Sequence, residues 1–256
     1  MSLLHLSATR RRGGSVWTPD TPGTPVLLAD PIVDALWQDT AATTAASSPG
    51  DPVARIDVSH GTNLTQATSG RRPLLTDING HLALLGDGVD DNLNSSQTIA
   101  DAAATMAFVY ARTGAIGASA QQVITTMGVA GSKRFQVRIA GASASLPYLS
   151  WTFAGASTAH VGANITVGDA AMHVVVIKYL GGTVTDVGNW RCWVDGAAQT
   201  VVTRAAVTPA GTTAILARSD AASPSDSKYG QIIVWDSAIS DGDCTSASSY
   251  LTTRWS

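Results

Sequence analysis

Apolar and alternating segments of strand length recur along most of this chain, with glycine, asparagine, aspartate or proline between them. β-Branched and aromatic residues are frequent in these segments, and this composition favours strands that pair in antiparallel sheets. No unit of roughly 20 to 50 residues repeats, which disfavours solenoids and propellers. The pattern predicts an all-β sandwich of two antiparallel sheets. Its strands are expected at residues 82–85, 106–112, 123–127, 135–139, 149–153, 173–179, 191–195, 199–203, 215–218 and 231–235.

The first 29 residues differ from the rest, because they are rich in arginine, glycine, threonine and proline. Pro19, Pro22 and Pro25 occur at every third position, which is typical of an extended chain that lacks part of its backbone donors. We expect residues 1–29 to form an extended docking arm or linker, and residues 30–256 to form one sandwich domain. A domain of this size buries enough surface to fold without a disulfide or a metal.

One hairpin and one helix carry strong local signals. In RCWVDGAAQTVV, Asp195 and Gly196 supply the positive φ angles of a tight reversal between two strands. Near the end of the chain, Ser240 and Asp243 are spaced as a capping box, and the sequence predicts an amphipathic closing helix at about residues 240–254. The apolar stripe of this helix is expected to contain Cys244, Ala247, Leu251 and Trp255.

Charge and hydropathy argue against two classes of partner. Charged residues make up 14% of the chain and the net charge is −3, so no long-range attraction to nucleic acid or to an anionic membrane is expected. The basic run from Arg10 to Arg12 is interpreted as part of a solvated tail, with contact to an acidic partner as the alternative. His173 and Lys178 interrupt the most apolar segment, so no membrane span is predicted.

The first residues, MSLLHLSATRRRGG, place their charges after a short apolar stretch, which is the reverse of a secretory signal. We therefore expect a soluble protein that is made in a cytoplasm.

All 19 acidic residues are aspartate, and the chain contains no glutamate. This absence removes the usual carboxylic acid of many glycosidases and the bidentate ligand of an EF-hand. The sequence has no Asp-x-Asp strand, and its five histidines stand apart from any GxSxG or catalytic-cysteine pattern. These observations predict a protein that is not an enzyme and needs no cofactor, with a glycoside hydrolase as the alternative.

The two cysteines, Cys192 and Cys244, belong to no zinc-like or CxxC pattern. Both have apolar neighbours in predicted regular elements, so buried free thiols are expected. A disulfide between them is the alternative.

The stretch LALLGDGVDDNL places Asp87, Asp90 and Asp91 directly after a predicted strand. Gly88 is free to adopt a positive φ and the carboxylates can accept backbone N–H bonds, so a tight turn is expected, with Val89 and Leu93 pointing inward. A calcium site on Asp87 and Asp90 is the functional alternative, because carboxylates are ligands that Ca²⁺ prefers. Asp90 and Asp91 would face opposite sides if both lay on a strand, which counts against that alternative unless the strand has already ended.

Three stretches together resemble one protein family. DPVARIDVSHGTNLTQATSGRRPLLTDINGHLALLGDGVDDNL resembles the opening of concanavalin A-like, laminin G-like jelly-roll domains of tailed-phage and phage-derived virion proteins. WRCWVDGAAQ resembles the strand-DG-strand hairpin of that family, and YGQIIVWDSAISDGDCTSASSYLTTRW resembles its last strand and closing helix. The match covers about residues 30–95 and 190–255, although the closing helix here is rich in serine, threonine and alanine where the family usually has charged residues.

The resemblance implies a jelly-roll sandwich in a virion structural protein, such as a tail, fibre or head-surface component. The expected partners are other virion proteins, contacted through the N-terminal arm, and a host-surface polysaccharide, with a cyclic homo-oligomer as the expected assembly. The expected location is the virion, assembled in a bacterial cytoplasm. The alternatives are a secreted carbohydrate-binding or adhesion module, a glycan hydrolase, and a purely structural protein without a ligand.

Sugar recognition combines an exposed aromatic ring with carboxylate or amide groups. Trp190 in the turn VGNWR, with Asp186 and Asn189 beside it, has this chemistry and is the predicted ligand site. Most of the seven tryptophans are expected in the core, and that role is the alternative for Trp190.

Overall fold

The computed structural model describes residues 17–100, 102–113, 121–129, 133–142, 145–154, 158–163, 171–207, 213–215 and 226–256. Within these ranges the chain forms a β-sandwich of two sheets, with one α-helix at its C-terminal end. The predicted jelly-roll sandwich of two antiparallel sheets, with a short closing helix, is therefore confirmed.

The smaller sheet contains eight of the described strands, labelled in chain order: β1 (Leu27–Ala29), β5 (Leu74–Ile78), β6 (His81–Leu85), β9 (Ala104–Arg112), β14 (Met172–Tyr179), β15 (Trp190–Val194), β16 (Ala197–Ala198) and β19 (Ser227–Trp235). Their spatial order is β16-β15-β14-β9-β19-β6-β5, and β1 also pairs with β19. All neighbours in this sheet are antiparallel.

The larger sheet contains eleven of the described strands: β2 (Ala35–Trp37), β3 (Arg55–Asp57), β4 (Leu64–Thr65), β7 (Leu93–Ser95), β8 (Thr98–Ile99), β10 (Gln121–Val129), β11 (Lys133–Ala142), β12 (Ser145–Ala154), β13 (Thr158–Ala163), β17 (Val201–Val207) and β18 (Thr213–Ile215). Their order is β17-β13-β12-β11-β10-β18-β7-β4-β3-β2. The short strand β8 pairs with β10 in parallel, whereas the other pairs are antiparallel.

The main hydrophobic core lies between the sheets. The smaller sheet contributes Phe108 and Val175, and the larger sheet contributes Ile56, Phe135 and Trp151, all of them fully buried. Because alternate residues of a strand face opposite sides, the neighbours of these residues form the outer faces of the sandwich.

A second core forms where helix α1 (Asp241–Trp255) covers the outer face of the smaller sheet. The Ser240 hydroxyl accepts a hydrogen bond from the Asp243 backbone N–H and so caps the helix, as the sequence predicts. The predicted stripe is buried against Val109, Val174 and Val176 of the sheet. This helix explains why β9 is buried along its whole length rather than alternating. The buried residues of the stripe are Cys244, Ala247, Leu251 and Trp255.

The predicted strands and the Asp195-Gly196 reversal are confirmed, but the predicted pairing of residues 191–195 with residues 199–203 is wrong. β15 pairs with the two-residue strand β16, and the chain then crosses to the larger sheet, where β17 pairs with β13. Each predicted range overlaps a described strand, although residues 216–218 lie outside the described residues. Asp195 and Gly196 have φ angles of 50° and 80°, which is the geometry expected of a tight reversal between β15 and β16.

The predicted domain boundary at residue 30 is wrong. The Trp17 ring packs 6.4 Å from the Trp235 ring, and the Trp235 indole N–H donates to the Pro19 carbonyl oxygen at 2.9 Å. β1 then adds a strand to the smaller sheet. Apolar residues in the proline-rich segment explain this difference, since they are buried against the sandwich. Residues 1–16 of the predicted arm lie outside the described residues.

Cys192 and Cys244 are free and buried, as predicted, so the alternative of a disulfide is not realised. Cys192 belongs to the core between the sheets, and Cys244 to the core under the helix. Burial raises the pKa of the Cys192 thiol far above its usual range and that of Cys244 to about 12. Neither thiol is therefore activated as a nucleophile.

Across the described ranges, no helix has both the length and the apolar character that a membrane crossing requires.

Candidate functional site

The predicted sugar-stacking role of Trp190 is wrong. Its side chain is 1% exposed and belongs to the core between the sheets. The ring lies 4.6 Å from the Tyr179 ring and 5.9 Å from the Phe135 ring, measured between centroids, and its indole N–H donates to the Val184 carbonyl oxygen at 2.9 Å. The residue starts a strand whose face is buried, which outweighs the polar turn that precedes it.

Asp186 is exposed and Asn189 is half-buried, and their polar groups close the turn before β15. The Asp186 carboxylate accepts a hydrogen bond from the Gly188 backbone N–H at 2.8 Å. The Asn189 amide nitrogen donates to the Thr183 carbonyl oxygen at 3.0 Å. These contacts give both residues a structural role in the turn, at a position without an open aromatic ring.

The acidic segment between β6 and β7 forms the turn that the sequence predicts. Gly88 has a φ of 73°, and the Asp87 carboxylate accepts hydrogen bonds from the backbone N–H groups of Val89 and Asp90 at 2.8 and 3.2 Å. Val89 is 69% exposed, so the expectation that it points inward is wrong, whereas Leu93 is fully buried. The reason is that Val89 lies at the tip of the turn, before the strand begins.

The turn brings three carboxylates together. One oxygen from each of Asp87, Asp90 and Asp91 lies within 4.8 Å of the others. β7 begins only at Leu93, so Asp90 and Asp91 precede the strand and are not forced to opposite faces. The sequence-based objection to a shared ion therefore does not hold in this geometry.

The charges of this turn are only partly compensated. Burial, followed by the neighbouring charges of Asp87 and Asp90, raises the pKa of Asp91 to about 6. Asp91 accepts one hydrogen bond from the Asp87 backbone N–H at 3.1 Å, and Asp90 pairs with the Arg71 guanidinium at 3.3 Å. A divalent cation would relieve the repulsion that remains. Calcium binding by Asp87 and Asp90 stays a prediction, and the geometry adds Asp91 to the possible ligands.

A polar cleft, which the sequence does not single out, lies on the outer face of the larger sheet. Leu36, Ile56 and Leu64 point from β2, β3 and β4 into the core, so the alternate residues of these strands face outward. Antiparallel pairing aligns the outward residues in a row, Trp37 beside Arg55, Arg55 beside Thr65 and Thr65 beside Asn94. The cleft has a volume of about 440 Å³. Its walls are formed by Arg55, Thr62, Asn63, Thr65, Asn94, Ser95 and Ser96.

Asp57 organises one end of this cleft. Its carboxylate accepts hydrogen bonds from the Arg55 Nε at 2.5 Å, from the Asn63 amide nitrogen at 2.6 Å and from the Trp37 indole N–H at 2.9 Å. Arg55 also donates to the Thr40 carbonyl oxygen at 3.2 Å. The guanidinium and the carboxylate compensate each other, so this end of the cleft is polar but carries no surplus charge.

The other end of the cleft offers open hydrogen-bonding groups. Asn94 accepts a 3.3 Å bond from the Asn92 side chain through its amide oxygen, which leaves its NH₂ group for a ligand. Within the part of the chain that the structure describes, the Thr65 hydroxyl makes no hydrogen bond to the protein. Asn92 follows Asp91 directly, so the acidic turn is linked to the cleft through the Asn92–Asn94 contact.

A signal for this cleft is present in the sequence. In RIDV and TNLT, apolar residues alternate with arginine, aspartate, asparagine and threonine, so one strand face collects hydrogen-bonding groups. What the sequence lacks is the order of the strands. Thr65 and Asn94 are 29 positions apart, and only the observed pairing of β4 with β7 makes them neighbours.

Comparisons with known proteins find solved structures that share this fold, but no relative by sequence. No protein-family model matches the sequence, and no curated protein does. A Trypanosoma rangeli sialidase in complex with 2,3-difluorosialic acid aligns with a TM-score of 0.53 and 10% identity, over 98% of this chain and 36% of the sialidase chain. An arabinofuranosidase complexed with arabinofuranosyl-alpha-1,2-xylobiose aligns with a TM-score of 0.60 and 13% identity, over 90% of this chain and 63% of the other.

A third structure, the binding domain of botulinum neurotoxin serotype D/C, aligns over 89% of this chain with a TM-score of 0.47, too low to establish a shared fold. This chain spans about a third of the sialidase and less than two thirds of the arabinofuranosidase. At such low identities the likeness to these two proteins shows a common fold and nothing more.

The prediction that this protein is not an enzyme is contradicted by these comparisons. Two structures that share its fold are named as a sialidase and an arabinofuranosidase, both of which are glycosidases. The prediction depended on the absence of a glutamate pair, but sialidases use a tyrosine nucleophile, so lack of glutamate does not exclude their chemistry. The fold likeness assigns no activity to this chain, and it removes the grounds for excluding one.

Proposed function

We propose that this protein is a lectin-like module that binds glycan in the cleft on the outer face of its larger sheet. The observation that carries the proposal is the row of outward residues Trp37, Arg55, Thr65 and Asn94 across four paired strands. Arg55, Thr65 and Asn94 line the cleft, and Trp37 is paired with Arg55 just beyond the lining residues, where its ring would extend the binding surface. The names of the two proteins that share the fold, a sialidase and an arabinofuranosidase, support a saccharide ligand.

The chemistry of the row matches that of a sugar. A pyranose has an apolar face that packs on an aromatic ring, and hydroxyl groups that both donate and accept hydrogen bonds. Trp37 is half-buried, and its N–H is held by Asp57, so the ring is fixed without the help of a ligand. Amide and hydroxyl groups then face the ligand from Asn94 and Thr65. Fixing these groups in advance reduces the entropy that binding costs.

The dimensions favour a short stretch of oligosaccharide over a single sugar. Neighbouring strands lie about 4.8 Å apart, so the three intervals from Trp37 to Asn94 span about 14 Å. The volume of about 440 Å³ lies in the range of ligand sites in proteins. Arg55 is neutralised by Asp57, which favours neutral sugars over acidic ones.

A glycan array followed by titration of the best ligand tests the proposal. We expect Asn94→Ala and Trp37→Ala each to weaken binding about 10-fold or more, since each removes about 1.4 kcal/mol or more of contact. Asn189→Ala is the matched control, because that amide closes a turn away from the cleft and its loss leaves binding unchanged. Binding that is insensitive to Asn94 and Trp37 but lost in Asn189→Ala would contradict the proposal.

The role as a component of a tailed-phage virion is a separate, finer proposal, and the support for it is the resemblance of residues 30–95 and 190–255 to virion domains. It includes contacts with other virion proteins, attachment to a host-surface polysaccharide and a cyclic homo-oligomer. Mass spectrometry of purified particles tests it, with the protein expected at a fixed ratio to the major capsid protein. Recovery of the protein only as a free extracellular module would favour the secreted alternative.

A further inference from the structure

A second cavity lies on the opposite side of the sandwich, between Trp17 and helix α1. Its volume is about 490 Å³. Helix α1 covers the outer face of the smaller sheet, whereas the glycan cleft opens on the outer face of the larger sheet. The two sites are therefore separated by both sheets and by the core between them. Its lining includes Trp17, Ser246, Ser249, Tyr250, Thr253 and Arg254.

Two aromatic rings form a fixed corner of this cavity. The rings of Trp17 and Tyr250 lie 5.5 Å apart at 55°, so they present two apolar walls at an angle. The Trp17 indole N–H donates to the Asp243 carboxylate at 3.2 Å, and the edge of the ring packs on Trp235. Trp235 is held in turn by its bond to the Pro19 carbonyl oxygen. Both ring positions are thus set before any ligand arrives.

Hydroxyl groups form the rest of the helix wall. Ser246, Ser249, Tyr250 and Thr253 occur at spacings of three and four residues, so they share one face of α1. The Ser249 hydroxyl donates to the Thr245 carbonyl oxygen at 3.0 Å and keeps its lone pairs for a ligand. Among the residues that the structure describes, the hydroxyls of Ser246 and Thr253 make no hydrogen bond to the protein.

The described residues that line the cavity carry no surplus charge. Arg254 is the one cation among them, and it is paired with the buried carboxylate of Asp30 at 2.7 Å. No carboxylate is among the lining residues of this described cavity. An anion would therefore find its counter-charge already occupied, and a purely apolar ligand would leave the hydroxyls without partners. A neutral ring compound with an apolar face and several hydroxyls satisfies both the aromatic corner and the helix wall.

We infer that the cavity between Trp17 and helix α1 is a second binding site for a neutral saccharide, which makes a single chain bivalent for glycan. The inference rests on the proposed function for the choice of a sugar as ligand, but the two sites share no residue. Because the sites open on opposite sides of the sandwich, one molecule bridges two glycan chains. Bivalent attachment raises the overall avidity without any new contact in either site.

The experiment measures how many saccharides bind to the full chain and impairs one site at a time by substitution. Thr253→Trp fills the cavity, and Thr252→Trp places the same side chain one position along the helix, where it does not line the cavity. Asn94→Ala weakens the cleft. Thermal melts of all variants check folding, and Tyr250→Phe serves as a second cavity variant that removes only a hydroxyl. The probes are defined neutral oligosaccharides prepared from laminarin, dextran and galactomannan, measured by titration calorimetry.

We expect two saccharides per wild-type chain, one per chain in Thr253→Trp, and two in Thr252→Trp. Light scattering, at a concentration where sedimentation shows each variant to be monomeric, should show that the wild type cross-links the parent polysaccharide and that Thr253→Trp does not. One saccharide per wild-type chain, bound about 10-fold or more weakly by Asn94→Ala and unchanged in Thr253→Trp, would overturn the second site and leave the proposed cleft standing. Loss of all binding in Thr253→Trp with no effect of Asn94→Ala would support the cavity and overturn the cleft.

Discussion

The indole N–H of Trp37 donates a 2.9 Å hydrogen bond to the Asp57 carboxylate, which fixes a residue of β2 to a residue of β3 on the outer face of the larger sheet. The same carboxylate accepts from Arg55 and Asn63, so one side chain orients three others around the proposed glycan cleft. Asp57 itself does not line the cleft in the described structure. It is therefore a positioning residue.

Replacing Asp57 with alanine should weaken glycan binding about 10-fold, because Trp37, Arg55 and Asn63 lose their common acceptor. The free energy of unfolding should fall by only about 1 kcal/mol, since water can reach these partly exposed groups. Titration calorimetry and urea denaturation measure the two effects. Asp77→Ala, at an exposed position in β5, is the control and should change neither. An Asp57→Ala variant that binds glycan as tightly as the wild type would show that the network does not position the cleft.

Trp190 should prove to be a residue of the core and not of a ligand site. Trp190→Ala is expected to lower the free energy of unfolding by about 3–5 kcal/mol, because it removes a large buried ring packed on Tyr179 and Phe135. Trp190→Phe keeps most of that volume and loses the bond to the Val184 carbonyl oxygen, so it should cost less and leave glycan affinity unchanged. A Trp190→Phe variant of normal stability with lost glycan binding would reverse this assignment.

The contrast between Trp190 and Trp37 shows how far the sequence determines the structure. Strand positions follow from alternation, and the Asp195-Gly196 reversal and the Ser240 cap follow from local chemistry, so each was predictable. Whether a tryptophan beside a polar turn is buried depends on which strands cover it, and this is a non-local property. Trp190 therefore looked available in the sequence, although it lies under Tyr179.

The sequence predicts neither the cleft nor the packing of the N-terminal arm on the sandwich, for a related reason. Thr65 and Asn94 become neighbours only through the pairing of β4 with β7, and Trp17 becomes part of the fold only because its ring packs on those of Trp235 and Tyr250, which are distant in sequence. Local patterns do not encode such pairings. The acidic turn is an intermediate case, because its Asx geometry was predictable but the approach of Asp91 to Asp87 depended on where β7 begins.

Asp91 should make stability depend on pH. Its pKa of about 6 lies above the ordinary value of 3.8, so between about pH 4 and 6 the folded protein binds more protons than the unfolded chain. Its contribution to stability is therefore present below pH 4 and lost as the pH rises to 6. Asp91→Asn should be more stable than the wild type at pH 7, by about 1–2 kcal/mol after solvent screening, and equal to it at pH 4. Urea denaturation at both pH values measures the difference, and comparison of the two proteins cancels the contribution of Asp34, whose pKa is also raised to about 6.

Calcium should stabilise the wild type but not Asp91→Asn, and so remove the stability advantage that this substitution has at pH 7. If the three carboxylates bind Ca²⁺, millimolar calcium should raise the melting temperature of the wild type, and EDTA should restore the original value. Asp91→Asn and Asp87→Asn should lose most of this response, whereas Asp77→Asn, outside the turn, should keep it. A wild-type melting temperature that does not change with calcium would show that the turn binds no ion under these conditions.

Gly230 should tolerate no side chain, because it packs against the ring of Trp255. A Cβ atom at this position would lie 2.8 Å from two carbons of the indole, closer than such contacts allow. Gly230→Ala should therefore lower the free energy of unfolding by about 1–3 kcal/mol through overpacking between β19 and α1. Gly70→Ala is the matched control, since no atom lies within 4 Å of its added Cβ and its φ is not in the left-handed region. Urea denaturation should show a lower midpoint for Gly230→Ala alone.

A second substitution separates the clash from a general weakness of the strand. Gly230→Ala combined with Trp255→Phe should recover part of the lost stability, because phenylalanine lacks the part of the indole that the new methyl group meets. Trp255→Phe sacrifices no hydrogen bond, since the buried Trp255 indole N–H has no partner in the part of the chain that the structure describes. The coupling energy of the double-mutant cycle should therefore be favourable. Strictly additive losses would show that Gly230→Ala acts through the backbone of β19 and not through the helix.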